Sequence, residues 1–185
     1  MITTKSLLCA AGLILAGLLK ASAGEFPDDW TWDSSKEQRD SHATLEGKPM
    51  PSLAGLSEWR NGEIKSADLK GKVVVVDFYA TWCGPCMKAV PHNNELLKKY
   101  KDKGLVVLGV CTSSKGQEKF ADNAKEHGME YVLARDAEQK IAKAWQAKYY
   151  PTYAIVDRKG VVRIIGLRPE HVESVVKKLL DEPAS

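Results

Sequence analysis

The chain has 185 residues, 44% of them hydrophobic and 28% charged, with four cysteines and a formal net charge of +3. Residues 1–23 hold two lysines and no acid, so without them the net charge falls to +1. A nearly neutral chain of mixed charge gives no reason to expect nucleic-acid binding, and the remaining length suits one domain with an adequate core.

The first stretch has Lys5, an apolar run from Leu7 to Leu19, and then Ala21-Ser22-Ala23. That is the layout of a secretory signal peptide over residues 1–23. The run is shorter than the roughly 20 residues a membrane-spanning helix needs. Lys20 beside the cleavage site keeps an uncleaved membrane anchor as the competing reading. Cys9 reads as a small apolar residue of the leader, since Ser6-Leu7-Leu8 is a poor lipobox. Residues 24–44 are polar and lack an apolar period, which reads as a linker or loosely docked arm whose Trp30 and Trp32 pack on the chain's own domain. The domain is expected over residues 45–185.

Within it, Trp59-Arg60-Asn61-Gly62-Glu63-Ile64 predicts a hairpin, because Asn-Gly suits a two-residue primed turn. Val73 to Tyr79 is a strand too apolar for one wet face, hence central and covered on both sides. Cys86 to Tyr100 predicts a helix, and Leu105 to Val110 another buried strand. A helix follows over 117–127, ended by Gly128. Tyr131 to Leu133 predicts a short strand, and Glu138 to Lys148 a helix. Thr152 to Asp157 and Val161 to Ile165 are strands around an Arg158-Lys159-Gly160 turn. Pro169 opens a last helix with Val172, Val175, Val176, Leu179 and Leu180 at helical spacing.

The chemistry concentrates in Trp82-Cys83-Gly84-Pro85-Cys86, directly after the apolar strand. Cys-x-x-Cys in a β-α-β pattern reads as a thioredoxin-like redox motif. Cys83 falls at or just before a helix N-terminus, where unpaired N–H groups and the helix dipole favour the attacking thiolate. Pro85 fits the first helical turn, and Gly84 lets another backbone approach closely. Asp77 is a lone carboxylate in the apolar strand. Burial raises such a pKa, which makes Asp77 a candidate proton acceptor for Cys86. Tyr150-Pro151 ahead of a strand fits either an edge proline or a cis peptide in a tight turn. Cys111, at the end of its strand, reads as a buried free thiol, with a third redox thiol as the alternative.

These residues resemble the TlpA/ResA-like secreted thiol–disulfide oxidoreductases over roughly Leu45 to Leu180. The matching segments are Gly47-Lys48-Pro49-Met50-Pro51, the run from Leu69 through Cys86, Pro91 in the active-site helix, Tyr150-Pro151-Thr152, and Asp157-Arg158-Lys159-Gly160. The resemblance implies an α/β, thioredoxin-like fold. It has a central mixed β-sheet flanked by helices, an N-terminal hairpin and a TlpA/ResA-type helix–strand insertion. It makes Cys83 the nucleophile and Cys86 the resolving thiol, the two forming the redox-active disulfide. Asp77 becomes the buried acid, and Pro151 the contact to the substrate backbone. Trp82, Gly84, Pro85 and Tyr150 complete the implied substrate surface. The implied activity is reduction of protein disulfides in the periplasm or another extracytoplasmic space. Cytochrome c maturation is one example, with electrons from a membrane donor of the DsbD or CcdA type.

Two positions depart from the family. Ala89 stands where ResA-type members often carry a glutamate three residues after the second cysteine, and the bulky Tyr150 precedes the proline. Both favour a thioredoxin-style proton path and an unusual substrate groove. A thiol peroxidase is the first alternative, but Thr81 lies two residues before Cys83 rather than three and the required proline is missing. A copper-binding or chaperone-like module is the second, but copper carriers of the Sco type space their cysteines one residue wider. With one Cys-x-x-Cys and scattered His92, His127 and His171, neither a metal nor another cofactor is expected.

Overall fold

The computed structural model describes residues 25–33 and 35–183, so the leader expected over 1–23 lies outside the described residues. Six strands form one mixed sheet in the order β1-β4-β3-β2-β5-β6. They are β1 (Ser57–Arg60), β2 (Val73–Tyr79), β3 (Leu105–Cys111), β4 (Val132–Arg135), β5 (Thr152–Val156) and β6 (Val162–Leu167). β2 pairs parallel with β3 and antiparallel with β5, which makes it central, and all seven of its residues are buried. The helices are α1 (Lys36–Ala43), α2 (Gly84–Tyr100), α3 (Phe120–Glu126), α4 (Lys140–Ala144) and α5 (Pro169–Asp181).

Strand alternation divides β2 between two cores. Val73, Val75 and Tyr79 pack with Val90 and Leu96 of α2, Phe120 of α3 and Val172, Val175, Val176 and Leu179 of α5. Val74, Val76 and Phe78 face the opposite layer, where Trp145 after α4 is fully buried and its ring lies 5.7 Å from that of Phe78. Asp77 has odd parity and therefore lies on the α2 side of the sheet. The helix–strand insertion expected from the family corresponds to α3 and β4.

Three elements differ from expectation. Asn61 and Gly62 do turn the chain, both with positive φ, but no return strand follows. β1 pairs antiparallel with β4 instead, and the Asn61 amide donates to the carbonyls of Met129 and Tyr131 at 2.8 and 2.9 Å. A 3-10 helix begins at Ser66, too soon for a second hairpin strand. The helix expected over Glu138–Lys148 contracts to α4, because Gln139 and Gln146 take left-handed backbone at its two ends. Residues 25–44 hold a 3-10 helix over Asp28–Trp30 and then α1, which packs against β6. The Trp30 ring stacks on His171 of α5 at 4.6 Å. The face that α1 buries is polar, with Gln38 and His42, so no apolar period announces it. Thr31 bridges Leu167 and Pro49 bridges Val161, covering the outer edge of β6.

Candidate active site

Cys83 is the N-cap residue of α2, and its Sγ accepts a hydrogen bond from the Cys86 amide at 3.2 Å. The two cysteines form a disulfide with Sγ–Sγ 2.05 Å and Cα–Cα 5.3 Å. Both are nearly buried, Cys83 4% and Cys86 1% exposed, while Gly84 and Pro85 between them lie open to solvent. The helix runs unbroken for 17 residues through Pro91. Its N-terminal amides and dipole therefore bear on Cys83 and favour a thiolate there once the disulfide is reduced.

Trp82 is the one exposed large hydrophobic among the described residues, at 61%. Its indole N–H donates to Ser113 Oγ at 3.1 Å, and its ring meets Tyr150 edge-on at 5.9 Å. The Tyr150–Pro151 peptide is cis, which resolves the two options left by the sequence. The register Phe78↔Thr152 sets Pro151 beside the end of β2 from which the chain proceeds to Cys83. Trp82, Cys83, Tyr150 and Pro151 thus gather at one edge of the sheet, with Gly84 and Pro85 as its exposed rim.

Asp77 is buried under α2. One carboxylate oxygen accepts from the Asn93 amide at 2.9 Å, and the other has no hydrogen-bond partner. Burial pushes its pKa up to about 7, although Tyr153 and Asn93 pull against that. Asn93 also donates to Tyr153 Oη at 3.0 Å and accepts from it at 3.2 Å. Sequence reasoning missed Asn93. Its signal was its position within the apolar stripe of Cys86, Val90, Leu96 and Tyr100 on α2, where a polar side chain needs a buried partner.

Ala89 is buried on α2, so no acid stands there. Cys111 is fully buried beside Tyr79, and burial pushes its thiol up to about 12. Such a thiol packs as a small apolar side chain and supplies no thiolate near neutrality. Among the described residues, no three His, Cys, Asp or Glu side chains gather in a way that could hold a metal ion. No helix among them is long and apolar enough to cross a membrane.

A disulfide whose first cysteine caps a helix, a cis-proline beside it and a mixed sheet between helices define a thioredoxin-fold redox protein. The chain belongs to the redoxin family, which it matches over residues 45–180. Within that family it is a thiol–disulfide oxidoreductase of the ResA/TlpA-like group. It is 32% identical over 136 residues to the thiol–disulfide oxidoreductase ResA of Bacillus thuringiensis (strain Al Hakam), covering 72% of this chain and 78% of that one. It is 34% identical over 143 residues to protein DipZ of Mycobacterium bovis, covering 71% of this chain but only 21% of DipZ. Among solved structures, it is similar to a candidate thiol:disulfide interchange protein DsbE from Chlorobium tepidum. There the TM-score is 0.61 and the identity 28%, covering 71% of this chain and 92% of the other.

Proposed function

We propose that the chain reduces disulfides of protein clients outside the cytoplasm. The observation that carries this reading is the Cys83 Sγ, which accepts the Cys86 N–H at the start of a long helix, a setting that favours a thiolate once the disulfide is reduced. In the reduced form, Cys83 attacks one sulfur of the client disulfide. The client S–S bond breaks, a Cys83–client mixed disulfide forms, and the client's other sulfur leaves as a thiolate. Cys86 then loses its proton and attacks Cys83 Sγ, which releases the client dithiol and forms the Cys83–Cys86 disulfide. Asp77, on the sheet face that α2 covers and with a pKa of about 7, is the acceptor for the Cys86 proton. Trp82, Gly84, Pro85, Tyr150 and Pro151 receive the client backbone.

Two electrons leave with each client, so a membrane dithiol donor of the DsbD or CcdA type restores the reduced state. The leader pattern over residues 1–23 supports the extracytoplasmic setting. Apocytochrome c, whose thiols must be reduced before haem attachment, is one fitting client.

Trapping tests this assignment. Cys86→Ala should accumulate mixed disulfides on Cys83 in cell extracts, while Cys83→Ala should accumulate none. Equal trapping by both would overturn the roles given to the two thiols. A midpoint potential near the about −120 mV of strong oxidants, rather than thioredoxin's about −270 mV, would overturn the reducing direction.

A further inference from the structure

Behind the cis-proline lies a buried polar cluster in which the reaction above has no part. His42 Nδ1 lies 2.9 Å from Asp33 Oδ1, and both side chains are essentially sealed from solvent, at 0% and 1% exposed. Tyr149 Oη donates to the same Asp33 oxygen at 2.9 Å. Arg39 donates to the other Asp33 oxygen at 3.1 Å and to the Ile165 carbonyl at 3.2 Å. The far nitrogen of His42 lies 3.1 Å from the Gln146 carbonyl. Gly166 of β6 closes the cluster. A Cβ there would come within 2.8 Å of Asp33 and His42 and 2.9 Å of Tyr149 Oη, so only glycine leaves room for all three.

Burial alone would raise the Asp33 pKa, but His42, Tyr149 and Arg39 outweigh it and hold the carboxyl below its usual range. The cluster therefore keeps an ion inside the protein. A buried ion is tolerated only in a connected network, and such networks fix one arrangement of the parts they join. The parts joined here are the N-terminal arm and the segment Gln146–Tyr149, the latter leading straight into Tyr150 and Pro151. Tyr149 is held at both ends: its hydroxyl by Asp33, and its carbonyl by Thr152 Oγ1 at 2.6 Å across the cis-proline. The next residue, Tyr150, touches Trp82 beside the disulfide.

We propose that Tyr149 is a positioning residue for disulfide exchange, held by Asp33 and His42 of the arm so that Tyr150 and cis-Pro151 present a fixed edge to a protein client beside Cys83. This rests on the reading that the clients are proteins docking at that edge. A small disulfide reaches Cys83 without needing the edge, whereas a polypeptide must align along it. Misplacement of such an edge is expensive, since a shift near 1 Å can cost about a hundredfold in rate.

The experiment compares the two kinds of substrate in the reduced full chain, with dithiothreitol as electron source. Insulin supplies the protein disulfide and 5,5′-dithiobis(2-nitrobenzoic acid) the small one. Tyr149→Phe, which deletes only the hydroxyl, should lower kcat/KM for insulin by about tenfold, mostly through KM, and leave the small disulfide within about twofold. Asp33→Asn, which keeps the side-chain volume, should show the same split and guards against a folding defect in the first variant. Equal losses on both substrates, or no loss on either, would overturn the positioning role and leave the cluster as a fastening for the arm. A wild-type chain that reacts with the small disulfide but not with insulin would instead refute the protein-client reading itself.

Discussion

Asp77 binds its proton far more tightly in the fold than in the open chain. An unfolded aspartate titrates near about 3.9, whereas burial sets Asp77 to about 7. Between those values the folded state holds the extra proton, so stability falls as pH rises, by up to about 1.4 kcal/mol per pH unit. The loss is complete above the folded value. Asp77→Asn should remove this slope, so urea midpoints compared at pH 5 and pH 8 should converge for the variant and diverge for the wild type. Parallel slopes would mean that Asp77 is already charged in the fold at pH 5. The same substitution should slow release of a client from Cys83 more than the initial attack. Cys83, Cys86 and Asp77 could be read from the sequence because their signals are local: a spacing, a helix start and a charge in an apolar run. Asp33, His42 and Tyr149 could not be read, since polar residues far apart along the chain give no hint of one shared buried site.

At the scale of elements, the centre of the sheet depends on a close approach at Gly109 of β3, the neighbour of Asp77 on β2. A Cβ there would meet Leu133 at 2.6 Å and Tyr131 at 2.9 Å, and both of those side chains are fully buried. Gly109→Val should therefore overpack the core and cost on the order of 2 kcal/mol, seen as a lower urea midpoint. An unchanged midpoint would show that Leu133 and Tyr131 yield freely. β2, β3, β5 and α5 were legible because burial on both faces, or on one helical stripe, writes itself into residue types. β1 was misread as half of a hairpin because Asn61-Gly62 announces a turn but not the partner, and the partner β4 lies some seventy residues on. The shortened α4 escaped for a related reason. Gln139 and Gln146 are ordinary helix formers, and only the tertiary fold forces them to left-handed backbone.

At the scale of the whole molecule, Arg163 of β6 ties the two ends of the described chain together. It pairs with Glu25 at the start of the arm, with Glu182 after α5 at 2.7 Å and with Asp157 at 3.3 Å, while itself only 9% exposed. Removing it leaves Glu25 only its pair with Lys178 at 3.0 Å, and leaves Asp157 only the amides of Lys159 and Val161. Arg163→Ala should cost on the order of 2 kcal/mol in urea unfolding, since the acids lose charged hydrogen bonds but keep other partners, with Arg163→Lys costing less. A change below about 1 kcal/mol would mark the cluster as screened by solvent. Within the arm, Phe26 and Trp30 pack on the core as apolar residues do, but α1 was the hardest element to read, because it docks through charge and hydrogen bonds rather than through an apolar face.

The bridges from Thr31 to Leu167 and from Pro49 to Val161 also set a timetable for a growing chain. The arm is made early, but it cannot settle until β6, the last of the six strands, has emerged. Cys83 and Cys86, three residues apart, need no such wait. During synthesis there is therefore an interval in which the thiols exist while the edge proposed to align their clients does not. Reactivity comes first in this molecule, and on that proposal discrimination arrives with its final strand.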